Sequence, residues 1–104
     1  MAYVTRHAKQ RTKERVGIPK RAAVKNANRA LEKGIKHSET SGGLHRYVAA
    51  LYWREQTANN IRIYGEYVYI FHDSTLITVF IPPQKYRKAA NQLQKNREVS
   101  TNDV

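Results

Sequence analysis

His7, Arg11 and Arg15 recur every four residues within TRHAKQRTKERVGIPKR, residues 5–21, a stretch that holds seven Lys and Arg side chains and one acid, Glu14. On a helix each step of four drifts by about 40°, so the three side chains form one continuous stripe. An imidazole titrates nearest to neutrality, which suits it to give or take a proton. A guanidinium beside it offers a planar, permanently charged fork for a phosphate. Proton transfer and stabilisation of a phosphorane-like charge are what cleavage of RNA through its 2′-hydroxyl needs, with no metal required. A solvated basic helix face fits the same local pattern, and the residue types leave both readings open.

Thr78 is the only hydroxyl in LITVF, residues 76–80. It fits a β-former satisfied by a backbone partner, or a side chain projecting into a cleft that faces the first helix. His37, His45 and His72 show no zinc-like spacing and the chain has no cysteine, so no metal or cofactor is expected. Of the three, His72 beside Asp73 is the best placed to present an oriented imidazole from a turn. Glycine-rich phosphate loops and Ser-His-Asp elbow motifs are absent from the sequence.

The net charge of +11 is unevenly spread. Residues 1–36 hold eleven basic and two acidic side chains, residues 37–81 three and four, and residues 82–104 five and two. A basic end joined to a near-neutral middle is the footprint of a polyanion partner, with nucleic acid first. Lys9, Lys13, Lys20, Arg21, Lys25 and Arg29 are the candidate phosphate contacts. Tyr47, Tyr52, Trp53, Tyr64, Tyr67 and Tyr69 are residue types that could stack bases beside arginine. Tyr67 is carried forward as a nucleic-acid contact, and Phe71 is assigned to the core. The apolar runs VYIF and VFIPP are too short to cross a bilayer, and no secretory leader is evident, so a cytoplasmic chain with no membrane partner is expected.

Positioning these residues requires a small set of elements. Thr5 to Val16 reads as a helix with Thr5 as N-cap and Gly17 as stop. Pro19 to Lys33 reads as a second helix, buried through Ala23, Ala27, Ala30 and Leu31 and capped by Gly34. HSETSGG, residues 37–43, is a loop, and LHRYVAALYWREQ after it reads as a helix with a partial strand alternative. Ile61 and Ile63 alternate with polar neighbours, Gly65-Glu66 has the Gly-X form of a type II′ hairpin, and Tyr67 to Phe71 continue as the partner strand. Leu76 to Ile81 is a third, nearly all-apolar strand that is central or covered on both faces. A closing helix occupies 84–96 and a frayed tail 97–104. The plan is a single α+β domain. N-terminal helices and a C-terminal helix pack on a small antiparallel sheet, a meander of three to four strands, with the helices expected on one face.

HAKQRTKERVGI, a second basic helix, NIRIYGEYVYIF and LITVF, in this order, resemble small bacterial and phage proteins related to the RelE, barnase and colicin-type ribonuclease superfamily. The resemblance covers roughly residues 5–81. It implies N-terminal helices against a four-stranded antiparallel sheet with a cleft across it, residues 47–53 being one source of the fourth strand. It implies a metal-independent, toxin-like endoribonuclease in which His7 transfers a proton or contacts phosphate. Arg11 and Arg15 would hold the anion and Thr78 would position substrate. Its partners would be RNA or a nucleoprotein complex, with a cognate antitoxin or inhibitor. The alternative is a non-catalytic phage or mobile-element protein that binds nucleic acid or inhibits a host nucleoprotein defence complex.

Overall fold

The computed structural model describes the backbone of residues 1–102 and the side chains of residues 1–96. In chain order the elements are β1 (Tyr3–Val4), α1 (Arg6–Val16), α2 (Lys20–Lys33), β2 (Ile35–Lys36), a 3-10 turn (His37–Glu39), α3 (Gly42–Arg54), β3 (Asn60–Tyr64), β4 (Tyr67–His72), β5 (Thr75–Phe80) and α4 (Gln84–Asn102). The chain is α+β. Its sheet has five strands in the order β1-β5-β4-β3-β2, with β1 parallel to β5 and the other pairings antiparallel.

The central meander follows the local sequence. Tyr64 pairs with Tyr67 across Gly65-Glu66, and Gly65 takes the positive φ of 61° that a type II′ turn needs at its first position. The side-chain amide of Gln94 on α4 closes on this turn, accepting from the Gly65 N–H at 2.9 Å and donating to the Gly65 carbonyl at 3.0 Å. At the other end, Asp73 adopts φ 54° between β4 and β5. Asn59 holds it there, donating to its carboxylate at 2.9 Å and accepting from its N–H at 2.7 Å.

Three expectations need correction. The sheet is mixed and five-stranded because two-residue strands, too short to carry a period, add at both edges. β1 docks through long-range bonds: the Tyr3 N–H donates to the Ser74 carbonyl at 2.7 Å and the Ala2 N–H to Asn28 Oδ1 at 2.6 Å. Residues 47–53 supply no strand, since α3 runs through them with Leu44, Val48 and Leu51 buried at helical spacing. The helices also cover both faces of the sheet. Ala8, Ala27 and Ala30 of α1 and α2 pack on Tyr69, Phe71 and Val79, whereas Leu44, Val48, Leu51 and Ala90 of α3 and α4 pack on Ile61, Ile63, Val68 and Ile70. As for the C-terminus, α4 continues past residue 96 to Asn102, and the rest of the expected frayed tail lies outside the described residues.

The helix ends follow their caps. Thr5 Oγ1 accepts from the Ala8 N–H at 3.0 Å, and Gly17 ends α1 at φ 72°. Thr12, fully buried in α1, donates its hydroxyl to the Ala8 carbonyl at 2.8 Å, so a polar side chain enters the interface without an unmet hydrogen bond. Gly34 is a different case, since its backbone is extended at φ −65° and any residue could adopt it. What it needs is room: a Cβ there would meet the Ala30 carbonyl oxygen and lie 2.8 Å from Arg62 Cβ on β3. Gly34→Ala is therefore expected to lower the unfolding free energy by about 1–3 kcal/mol through overpacking. A urea titration showing Gly34→Ala no less stable than wild type would contradict this close approach of α2 to β3.

Candidate arginine–aromatic site

α1 turns the sequence stripe into two environments. Ala8 and Thr12 mark its buried side, and each successive member of the His7, Arg11, Arg15 series lies about 40° nearer to that side. His7 and Arg15 are exposed and Arg11 is half-buried, and the Arg15 guanidinium extends to the sheet. There its Nη1 donates to Thr78 Oγ1 at 3.1 Å, and its Cζ lies 5.0 Å from the centre of the Phe80 ring. Two of the four expected catalytic residues, Arg15 and Thr78, thus meet. His7 stays eight positions back, about 12 Å along the helix axis from Arg15.

The strand explains how an α1 side chain comes to Phe80. Thr78 pairs with Ile70 and Phe80 with Val68, so both point to the α3–α4 side, while Val79 between them packs under α1 and α2. β1 pairs only with Thr75 and Leu76, and α1 packs along β5. Arg15 passes round this edge of the sheet. Arg54, the last residue of α3, arrives on the same ring, with its Cζ 5.3 Å from the Phe80 centre. Each guanidinium gains roughly 0.5–1 kcal/mol from the ring face at such an exposed position. Among the described residues neither arginine has a carboxylate partner. Two cations converge on one ring with no counter-charge, an arrangement that can take a phosphate or carboxylate.

Arg54 and Phe80 were invisible to sequence spacing, because they are 26 positions apart and meet only through packing on the sheet. The available signal was modest: an arginine in the last turn of a helix and an aromatic at the end of an apolar strand. Nearby, Tyr47 stacks on Tyr86 with ring centres 4.7 Å apart. Burial raises the Tyr47 pKa, with the Arg54 charge acting in the opposite direction.

The remaining histidines serve the fold. His37 and His45 stack at 4.0 Å. Thr40 donates its hydroxyl to the His37 carbonyl at 2.6 Å, so its 3.0 Å contact with His45 Nδ1 makes that nitrogen the donor. His72, expected in a turn, is the last residue of β4: its Nδ1 lies 2.6 Å from the Thr57 carbonyl, and its Nε2 lies 3.6 Å from Asp73. It pairs with Thr75, three positions and about 10 Å from Thr78. Among the described residues no three His, Asp or Glu side chains converge on a common point.

The expected phosphate contacts form a second feature. α1 and α2 carry ten Lys and Arg and two Glu, and both lie on the same side of the sheet. Lys13, Lys20, Arg21, Lys25 and Arg29 are exposed and Lys9 is half-buried. Glu14 is engaged by the Gln10 amide at 2.7 Å. Leaving Lys33 aside, none of the α1 and α2 cations is in an ion pair among the described residues. No helix among the described residues is long and apolar enough to cross a membrane. Comparison with protein-family models, curated proteins and solved structures gives no match.

Tyr67 belongs with the core more than with this surface. It is half-buried, packs against the α1–α2 side and meets Tyr69 edge-on at 6.5 Å. Burial, with Tyr67 and Tyr64 adding to it, pushes the Tyr69 phenol up to about 12 from an ordinary 10.0. The folded state therefore favours the neutral phenol. This contribution is fully present below pH 10, where the unfolded chain also keeps its proton, and is lost as pH rises towards about 12. Tyr69→Phe is expected to flatten the fall in stability over that window, measured as urea midpoints across the alkaline range. An unchanged slope would place the Tyr69 hydroxyl in water.

Proposed function

We propose that the protein binds RNA, with the outer faces of α1 and α2 neutralising its phosphates. One observation carries this reading: ten cations against two acids on two adjacent helices, where, leaving Lys33 aside, none of the cations is in an ion pair among the described residues. Concentrating like charge in this way destabilises a compact chain by self-repulsion, and a polyanion relieves it. The small inner face of α2, with Ala23, Ala27 and Ala30 buried, sets this charge on a rigid scaffold. RNA is favoured over other polyanions by the resemblance to ribonucleases in the order of α1, α2 and the β3–β5 meander.

A second reading, the toxin-like endoribonuclease, is supported by the Arg15–Thr78 hydrogen bond, which unites two residues of the expected catalytic set. Binding is preferred because proton transfer through the 2′-hydroxyl needs an acid and a base beside the phosphate. His7 stands about 12 Å along α1 from that pair. A nucleoprotein partner, such as a host defence complex, would use the same basic surface.

Salt dependence tests the binding reading directly. Each phosphate neutralised on a single strand contributes about −0.7 to the slope of log K against log salt. Reversing Lys20, Lys25 and Arg29 together to Glu should weaken RNA binding and make the slope about 2 less steep. A slope unchanged by the triple reversal would remove α2 from the interface. Incubating wild type and His7→Ala with total RNA in EDTA separates the two readings. Intact RNA from both, with affinity retained, is the expected result, whereas 2′,3′-cyclic phosphate ends made by wild type alone would establish the nuclease.

A further inference from the structure

Trp53 is the only tryptophan, and 79% of it is exposed, on the outer side of α3. The other large aromatics near the cation pair are occupied. Tyr47 and Tyr86 stack on each other, the Tyr52 hydroxyl accepts from the Ile61 N–H at 2.8 Å, and Phe80 lies beneath two guanidiniums. Tyr64, Tyr67 and Tyr69 pack into the α1–α2 core. Of the described Phe, Tyr and Trp side chains only Trp53 and Tyr3 are largely exposed, and Tyr3 sits beside Thr75 at the opposite end of β5 from Phe80. The chain neighbour of Trp53 is Arg54, with Cα atoms about 3.8 Å apart, turned by about 100° around the helix so that one side chain goes to Phe80 and the other to solvent.

We propose that Trp53, Arg54 and Arg15 form a binding site for single-stranded RNA, the two guanidiniums holding a backbone phosphate and the indole stacking on an adjacent unpaired base. This rests on the RNA-binding reading above and adds to it the kind of RNA and the place where a base is held. Thr78 holds one Nη of Arg15 at 3.1 Å and both guanidiniums lie against Phe80, at 5.0 and 5.3 Å from its centre, so their remaining N–H donors are left for a ligand. No carboxylate competes for them among the described residues. Charge complementarity selects an anion, and the free indole face selects one that carries a π-surface. A duplex keeps its bases stacked within the helix, whereas a single strand presents them.

The site lies round the sheet edge from the α1–α2 surface, and Arg15 belongs to both. A strand running along α1 would reach Phe80 at the C-terminal end of that helix. The basic surface then supplies affinity without regard to sequence, and the junction supplies the preference for unpaired bases.

Because Trp53 is the sole indole, its emission reports on this site alone. The full-length protein is titrated with an oligouridine of about twelve nucleotides, with a duplex RNA of equal length, and with inorganic polyphosphate, while anisotropy follows binding independently. Oligouridine should quench the emission by about half or more, whereas polyphosphate should bind without quenching. Trp53→Ala should weaken oligouridine binding by about 5- to 150-fold and leave polyphosphate binding within about twofold. Trp53→Phe should restore most of the loss, and Arg54→Ala should weaken both ligands. Saturation with oligouridine and no quenching would overturn the stacking site while leaving RNA binding intact. Failure of every RNA and of polyphosphate to bind would overturn the RNA-binding reading itself. A blue shift of the emission with protein concentration alone would overturn the site in favour of a second copy covering the indole.

Discussion

Val68, Tyr69, Ile70 and Phe71 alternate across the plane of the sheet and all four are buried, so β4 requires a helical layer on each side. Burying each such side chain contributes roughly 1.5–3 kcal/mol, more than any surface contact in the molecule can offer. The two layers have different characters. α3 and α4 meet the sheet with Leu44, Val48, Leu51, Tyr86 and Leu93, whereas the fully buried residues of α2 are all alanines, with Val24 and Leu31 half-buried at their margin. Small side chains bring the α2 backbone close to the strands, and Gly34 extends that closeness to β3.

This inner arrangement determines where charge can go. With alanines inside, the lysines and arginines of α2 have only the outward side, and α1 beside it adds its own. The resulting field is a property of a packed layer rather than of a mobile tail, so the spacing of its charges is fixed before any ligand arrives. At the junction of α1, β5 and α3 the same fixity applies to directed groups. Phe80 faces the α3–α4 layer, and an arginine from each layer brings its guanidinium to this ring.

Features set by neighbours in sequence were legible from it. Thr5 as N-cap, Gly17 as helix stop, the Gly65-Glu66 hairpin and the burial of Ala23, Ala27 and Ala30 all follow from local sterics and periodicity. Features created by distant pairing were not. Tyr3–Val4 and Ile35–Lys36 become strands only because Thr75–Leu76 and Arg62–Ile63 are available beside them. The apolar run in β5 indicated cover on both faces, yet no single helix identified which face it would take. The candidate site divides in the same way. The stripe from His7 to Arg15 was evident, but its 40° winding separates its ends, and Arg54 enters from an element that the stripe could not specify.

The pairing of β1 with β5 joins residues about seventy positions apart, Val4 beside Leu76. Closing so long a loop carries an entropy cost that only an already formed β3–β5 meander can offset. During synthesis the helices α1 and α2 emerge before β5, so Arg15 has no Thr78 or Phe80 to meet until that strand has left the ribosome. Assembly of the arginine junction therefore coincides with completion of the sheet. A nascent or truncated chain lacking β5 presents charge without a site.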